Sequence, residues 1–254
     1  MMDCRSLALS TVIGVFLAVP AMAQDTVQVQ VAGAVRTPGA FQIPAGGRLS
    51  DAVLAAAPAA DAYLPGAMFL RERQRLAQVR LRAGLGHDLA QLQRSDEPAV
   101  AEAAGRLAAW LDGHPAIGRV AQPIDARLMQ VQPQSNPVLE PADTLVVPTR
   151  PATVRVMGAV LAECQLQHAP LDDAPRYLQQ CPASAAADPD AIYVIQPDGQ
   201  VQRLGAALWN RADPQAVAPG GTVYVPVRTS SMPAVDENFN AEFAAFIATQ
   251  PATP

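Results

Sequence analysis

The residues able to do chemistry fall into a few groups. Cys164 and Cys181 stand 17 positions apart, with His168 shortly after the first. Two cysteines in an exported chain favour a disulfide, which would stabilise by about 3 kcal/mol by restricting the unfolded chain. The alternative is a metal site built on Cys164-Gln-Leu-Gln-His168, for which a fourth ligand is not evident. The remaining histidines, His87 and His114, have no Ser or Cys in a nucleophile motif beside them. The patterns G-x-S-x-G, H-E-x-x-H and the P-loop are missing from the sequence. Sixteen Asp and seven Glu allow many carboxylate pairs, but no spacing singles out the facing pair that glycoside hydrolysis needs. The expectation is a protein without catalytic residues, cofactor or metal.

Binding chemistry is easier to place. Arg119 follows Gly118, where a helical segment runs back into a strand-like one. A guanidinium there suits a carboxylate, a phosphate or sugar hydroxyls, and a salt bridge to Asp125 is the competing structural role. Arg71, Arg73, Arg75, Arg80 and Arg82 form the one dense basic run. It reads either as a solvated helix face or as a surface for an acidic glycan. Trp209 is able to stack on a sugar ring, although Ala207-Leu208-Trp209 ahead of a turn reads more simply as core packing, with Asn210 serving the turn.

The elements that carry these residues come from comparing the chain with itself. Val29-Gln-Val31-Ala-Gly33-Ala-Val35 matches Val154-Arg-Val156-Met-Gly158-Ala-Val160. Each run is an alternating strand ending in Gly, then a second strand-like piece and a short helix, Arg48 to Ala57 or Asp172 to Gln180. Glu140 to Pro148 parallels Ala218 to Pro226 as a turn and closing strand. In the second copy Pro197-Asp198-Gly199 marks a hairpin. Gly33 to Pro148 spans 115 positions but Gly158 to Pro226 only 68, so the first copy carries 47 extra. Within these, Leu81, Leu85, Leu89 and Leu92, then Val100, Ala104, Leu107 and Leu111, recur at helical spacing. Ser95-Asp-Glu-Pro98 separates the two runs with helix-start chemistry.

This pattern predicts an α+β protein: two tandem β-grasp domains, a helical hairpin inserted in the first, and a C-terminal amphipathic helix. The boundaries expected are a signal peptide over 1–23, a first domain over 24–150 with its insertion at about 70–116, a second over 151–228, and a linker with helix over 229–254. The apolar run Leu7–Val19 followed by Ala21-Met-Ala23 predicts cleavage between Ala23 and Gln24 and export to the periplasm. Cys4 precedes that run, so it is not placed as a lipoprotein cysteine. In the last helix Val235, Phe239, Phe243, Phe246 and Ile247 share one face. That face either packs on the body of the protein or docks on a partner, and Phe239, Phe243, Phe246 and Ile247 are the docking candidates. All 18 basic residues are Arg and the net charge is −5, which argues against a nucleic-acid binder.

The ordered pieces Tyr63-Leu-Pro-Gly-Ala67, Ile117-Gly-Arg119, Ser135-Asn-Pro137, Arg150-Pro151, Gly158-Ala-Val160, Tyr177-Leu178, Ala207-Leu-Trp-Asn210 and Pro219-Gly220 resemble the GfcC-like family of bacterial capsule biosynthesis. Val35-Arg-Thr-Pro-Gly39 is similar to the SLBB-type β-grasp domains of Wza-type polysaccharide exporters. The resemblance implies a periplasmic accessory protein of capsule or exopolysaccharide assembly or export. Its partners would be the outer-membrane export machinery or the polysaccharide itself, with membrane contact only through the last helix. Arg119 falls in a motif shared with the family. In the exporters the final helix helps to form a pore; this chain lacks their N-terminal signature segment and lipidated Cys. Two further readings are a small-ligand-binding β-grasp module and a polysaccharide-modifying enzyme.

Overall fold

A computed structural model describes residues 25–210, 212–229 and 233–252. The expected signal peptide, with Cys4, Ala23 and Gln24, lies outside the described residues, as do Ser230 and Ser231 of the linker. The first unit contains β1 (Thr26–Gly33), β2 (Gly39–Pro44), α1 (Leu49–Ala56), β3 (Met68–Leu70), α2 (Glu72–Leu92), α3 (Pro98–Asp112), β4 (Arg119–Val120), α4 (Ala126–Val131) and β5 (Thr144–Val147). The second contains β6 (Thr153–Gly158), β7 (Cys164–Gln167), α5 (Ala174–Gln180), β8 (Ala191–Ile195), β9 (Val201–Gly205) and β10 (Thr222–Val225), and α6 (Phe239–Ala248) comes after it.

The two sheets share one topology. Their strand orders are β2-β1-β5-β3-β4 and β7-β6-β10-β8-β9. In each, the first and last strands of the unit pair in parallel at the centre, and all other pairs are antiparallel. A helix crosses between the second and third strands, which is the β-grasp arrangement. The repeated Gly has a physical cause. Gly33 and Gly158 adopt φ of +93° and +103°, and a Cβ on either would meet the carbonyl oxygen of Val147 or Val225. The next amide then donates to that same carbonyl, Ala34 to Val147 and Ala159 to Val225. The turn therefore seals the central parallel pair in both copies.

The helical hairpin occupies the place of a β-turn. In the second unit Pro197–Gly199 joins β8 to β9 directly, whereas in the first α2 and α3 lie between β3 and β4. Pro98 starts α3 at its first turn, where its missing N–H costs nothing. Leu85, Leu89 and Leu92 face Val100, Ala104, Leu107 and Leu111, all buried.

The hairpin's core is not the first unit's core. Val29, Leu49, Phe69, Leu145 and their neighbours form one apolar cluster. Leu85 to Leu111 belong to another, together with β6, β8, β10, α5 and α6. The insertion thus leaves one sheet and packs on the other. Arg106 fastens it there by donating from Nη2 to the carbonyl of Val160, at 2.7 Å.

α6 fills the remaining face of the second sheet. Phe239, Phe243, Phe246 and Ile247 are all buried. Phe243 packs on Trp110, Tyr224 and Phe239 at ring separations of 5.6, 5.5 and 5.8 Å. Asn240 pins the helix to β10: its Oδ1 accepts from Tyr224 Oη and the Val227 amide, and its Nδ2 donates to the Val227 carbonyl. The partner-docking expectation for these four apolar side chains is corrected accordingly. Exposing them would cost about 6–12 kcal/mol at 1.5–3 kcal/mol each, comparable with the entire stability of a domain.

Candidate functional site

The fold brings Arg119 to the meeting point of both units and α6. It stands on β4, directly after the hairpin, beside Gly118 at φ +80°. The Gly118 carbonyl accepts from Arg71 N, and the Gly118 amide donates to Gln78 Oε1 of α2. Gln78 Nε2 in turn donates to the Arg119 carbonyl at 2.7 Å. One buried glutamine therefore fixes the chain on both sides of the peptide that aims Arg119.

The Arg119 side chain is only 4% exposed. Nη1 donates to the carbonyls of Ala248 and Gln250, at 3.2 and 3.0 Å. Nη2 donates to the carbonyls of Ala67 and Pro197. The guanidinium thus bonds the C-terminal end of α6, the β8–β9 turn and the start of β3 at once. A cation suits the carbonyl end of a helix. Burial pulls its pKa down to about 10, with Asp198 acting in the opposite direction. Its Nε makes no hydrogen bond among the described residues. Beside it lies a cavity of about 20 Å³, lined by Trp110, Arg155, Gln196, Thr222 and Gln250 among others. That is room for about one water molecule and not for a sugar ring. Asp125, the expected salt-bridge partner, instead caps α4 by accepting from the Leu128 amide. The two terminal nitrogens of Arg119 bond backbone carbonyls in its place.

Arg71 is also built in. Its Nε and Nη2 grip the two carboxylate oxygens of Asp143 at 2.9 and 2.6 Å, and Nη2 also donates to the Val138 carbonyl. Nη1 reaches Glu140 at 3.1 Å. The guanidinium lies 4.9 Å from the centre of the Phe69 ring, and the bond to Asp143 raises its pKa. The basic run therefore divides: Arg71 is buried, Arg82 donates to the carbonyls of Leu111 and His114, and Arg73, Arg75 and Arg80 are exposed. Sequence spacing puts all five in one group, but Arg71 precedes the helix and faces the sheet.

Trp209 departs from its simpler reading. It is 79% exposed, and Leu208 before it 87% exposed. Asn210 closes the turn with its amide, which donates to the Ala207 carbonyl at 3.2 Å, and its Nδ2 ties the turn to the Asp190 carbonyl at 2.9 Å. Next to this turn, between α5 and β8–β9, runs a groove of about 570 Å³ lined by Pro175, Leu178, Ile192, Leu204 and Pro214 with Asp173 and Asp213. Nothing in the sequence pattern marks it, because it is made by what a short loop fails to cover.

Cys164 and Cys181 are joined, with Cα atoms 6.1 Å apart, tying β7 to the end of α5. The sulfur proposed as a metal ligand is thereby bonded. His114 stacks on Trp110 at 4.0 Å, and its Nδ1 lies 2.6 Å from the Trp110 carbonyl, so it belongs to the hairpin's structure. No helix among the described residues is long and apolar enough to cross a membrane.

Two family models match the chain: the N-terminal model of capsule biosynthesis GfcC over residues 23–150, and its C-terminal model over 164–251. An uncharacterised protein of Escherichia coli K12, YjbG, is 26% identical over 183 residues, which is 72% of this chain and 74% of the relative. Matches that together span most of the chain, over two sheets of one topology, place it in the GfcC family of capsule-biosynthesis proteins.

Proposed function

We propose that the protein is a non-enzymatic periplasmic accessory factor of capsule or exopolysaccharide assembly or export, acting through partners in the export machinery. The observation that carries this reading is the family match, which runs through both β-grasp units. The disulfide supports a location outside the reducing cytoplasm. The most deeply buried cations, Arg71 and Arg119, bond to the protein's own carboxylates and carbonyls, as structural groups do. Deleting the gene is expected to lower surface polysaccharide while leaving its cytoplasmic precursors at normal levels. Unchanged surface polysaccharide contradicts the proposal, and turnover of purified glycan by the purified protein alone would make it an enzyme.

A second reading, direct contact with the glycan, is favoured by the exposure of Trp209. An indole so placed can stack on a sugar face, with the exposed Arg80 facing solvent elsewhere on the surface while Arg73 and Arg75 pair with Glu140 and Glu72. Trp209→Ala is expected to weaken retention on immobilised capsular polysaccharide without changing stability. Equal retention of both proteins excludes this contact.

A further inference from the structure

The two units differ in the connection that leaves their fourth strand. Val120 pairs with Phe69 and Gln202 with Val194, at equivalent places in the two sheets. Val138 bridges Arg48 ahead of α1, and Ala216 bridges Asp173 ahead of α5. Residues 121–137 and 203–215 are therefore equivalent connections, the second four residues shorter. In the first unit this connection forms α4, and its Ile124 and Met129, each 3% exposed, are buried with Leu49, Val53 and Phe69 in that unit's core. Asn136 locks its return, accepting from the Ser50 amide and donating to Ser50 Oγ.

Among the described residues of its connection the second unit has no helix. Its shorter connection turns outward at Ala207–Asn210, leaving Leu208 and Trp209 in solvent and the groove beside α5 open. Leu178, on the groove wall, is equivalent to Val53, which the first unit covers. Lining this groove are aliphatic side chains and prolines, with Gln179 and Gln215 as its amides and Asp173 and Asp213 as its carboxylates. The segment that fills the matching place in the first unit carries Arg127 between its two apolar anchors.

We propose that this groove is a docking site for a short helical segment of a partner protein, with two apolar anchors and a basic residue between them, seated as α4 is seated in the first unit. The proposal deepens the reading of the protein as one that works through partners, and names where one of them binds. The walls are mostly apolar and, among the described lining residues, carry no aromatic ring, which favours a peptide helix over a glycan, whose sugar faces stack on aromatic rings. Leu208 and Trp209 would close over the segment as its rim.

A synthetic peptide of residues 121–137 of this chain, added to the intact protein, tests the idea by tryptophan fluorescence. Trp110 is buried already, so a change in emission reports on Trp209. The expected result is a saturable blue shift that a peptide with Asp at the Ile124 and Met129 positions does not produce. Leu178→Arg is expected to weaken peptide binding by about tenfold or more while melting with the wild type. Because Leu178 is only half buried, Leu178→Ser serves as a second variant if the arginine disturbs folding. No shift with the native peptide, or an equal shift with the Asp-bearing peptide, overturns the proposal. So does a shift produced instead by purified acidic polysaccharide and abolished by Leu178→Arg, which would make the groove a glycan cleft. The polysaccharide phenotype of the gene deletion is independent of all these outcomes, so the groove can fail while the accessory role stands.

Discussion

The two β-grasp units repeat one topology and solve the problem of a small core differently. The first closes its own: α1 and, through Ile124 and Met129, the connection that forms α4 share one apolar cluster with its strands. The second is completed from outside. The hairpin α2–α3 comes from the first unit's sequence and α6 from beyond the last strand, yet both lie in one apolar cluster with β6, β8 and β10. A sheet of short strands buries too little by itself to offset its conformational entropy. The second unit thus depends on pieces from outside its own repeat, and Arg119 stands where those borrowed pieces meet.

Removing the borrowed core should break this relation most. Phe243→Ala deletes a ring that touches Trp110, Tyr224 and Phe239. It is expected to cost about 3–5 kcal/mol, read as a fall in denaturation midpoint, whereas Leu54→Ala on the exposed face of α1 should change it hardly at all. Next is Arg119→Ala, which strands four carbonyls at the junction and is expected to cost about 2–4 kcal/mol. Arg119→Lys should recover little of that, because one ammonium cannot reach carbonyls on three separate segments. Replacing both Cys164 and Cys181 with Ser should cost about 2–3 kcal/mol, and a reductant should lower the melting temperature of the wild type but not of this variant.

The smallest effect is electrostatic. Partial burial raises the pKa of Glu242, and Asp236 and Asp88 add to the shift. A carboxylate whose pKa is raised by folding destabilises the folded state once both states are ionised. Glu242→Gln is therefore expected to stabilise by a few tenths of a kcal/mol at neutral pH. That gain should shrink as pH falls through the folded pKa and vanish below the unfolded one. A gain that persists in acid would assign the effect to packing instead.

How much of this can be read from the residues depends on how local each signal is. The alternating strands and positive-φ glycines repeat because one backbone problem recurs, so Gly33 and Gly158 reveal the duplication. The leucine spacing of α2 and α3 and the phenylalanine face of α6 report which side is buried, but periodicity says nothing of the surface that buries it. For that reason the hairpin's attachment to the other unit has no sequence signal, and the α6 face leaves a docking element open beside packing on the body. Strands of two and three residues, β4 and β3, are too short for any pattern. Arg119 stands out beside its glycine, but its partners are backbone carbonyls, which every residue type carries. Trp209 escapes the pattern for a related reason: Ala-Leu-Trp is apolar wherever it occurs, and only the shortened loop after β9 turns it to solvent.

The central claim, that the second unit is held together by elements from outside its own repeat, is tested most directly by hydrogen exchange of the wild type against Phe243→Ala. The account predicts faster exchange across α6, α2, α3, β6, β8 and β10 together, with β1 and β5 unchanged. Faster exchange confined to α6 would contradict it, and would mean that the last helix is only laid upon a unit complete without it.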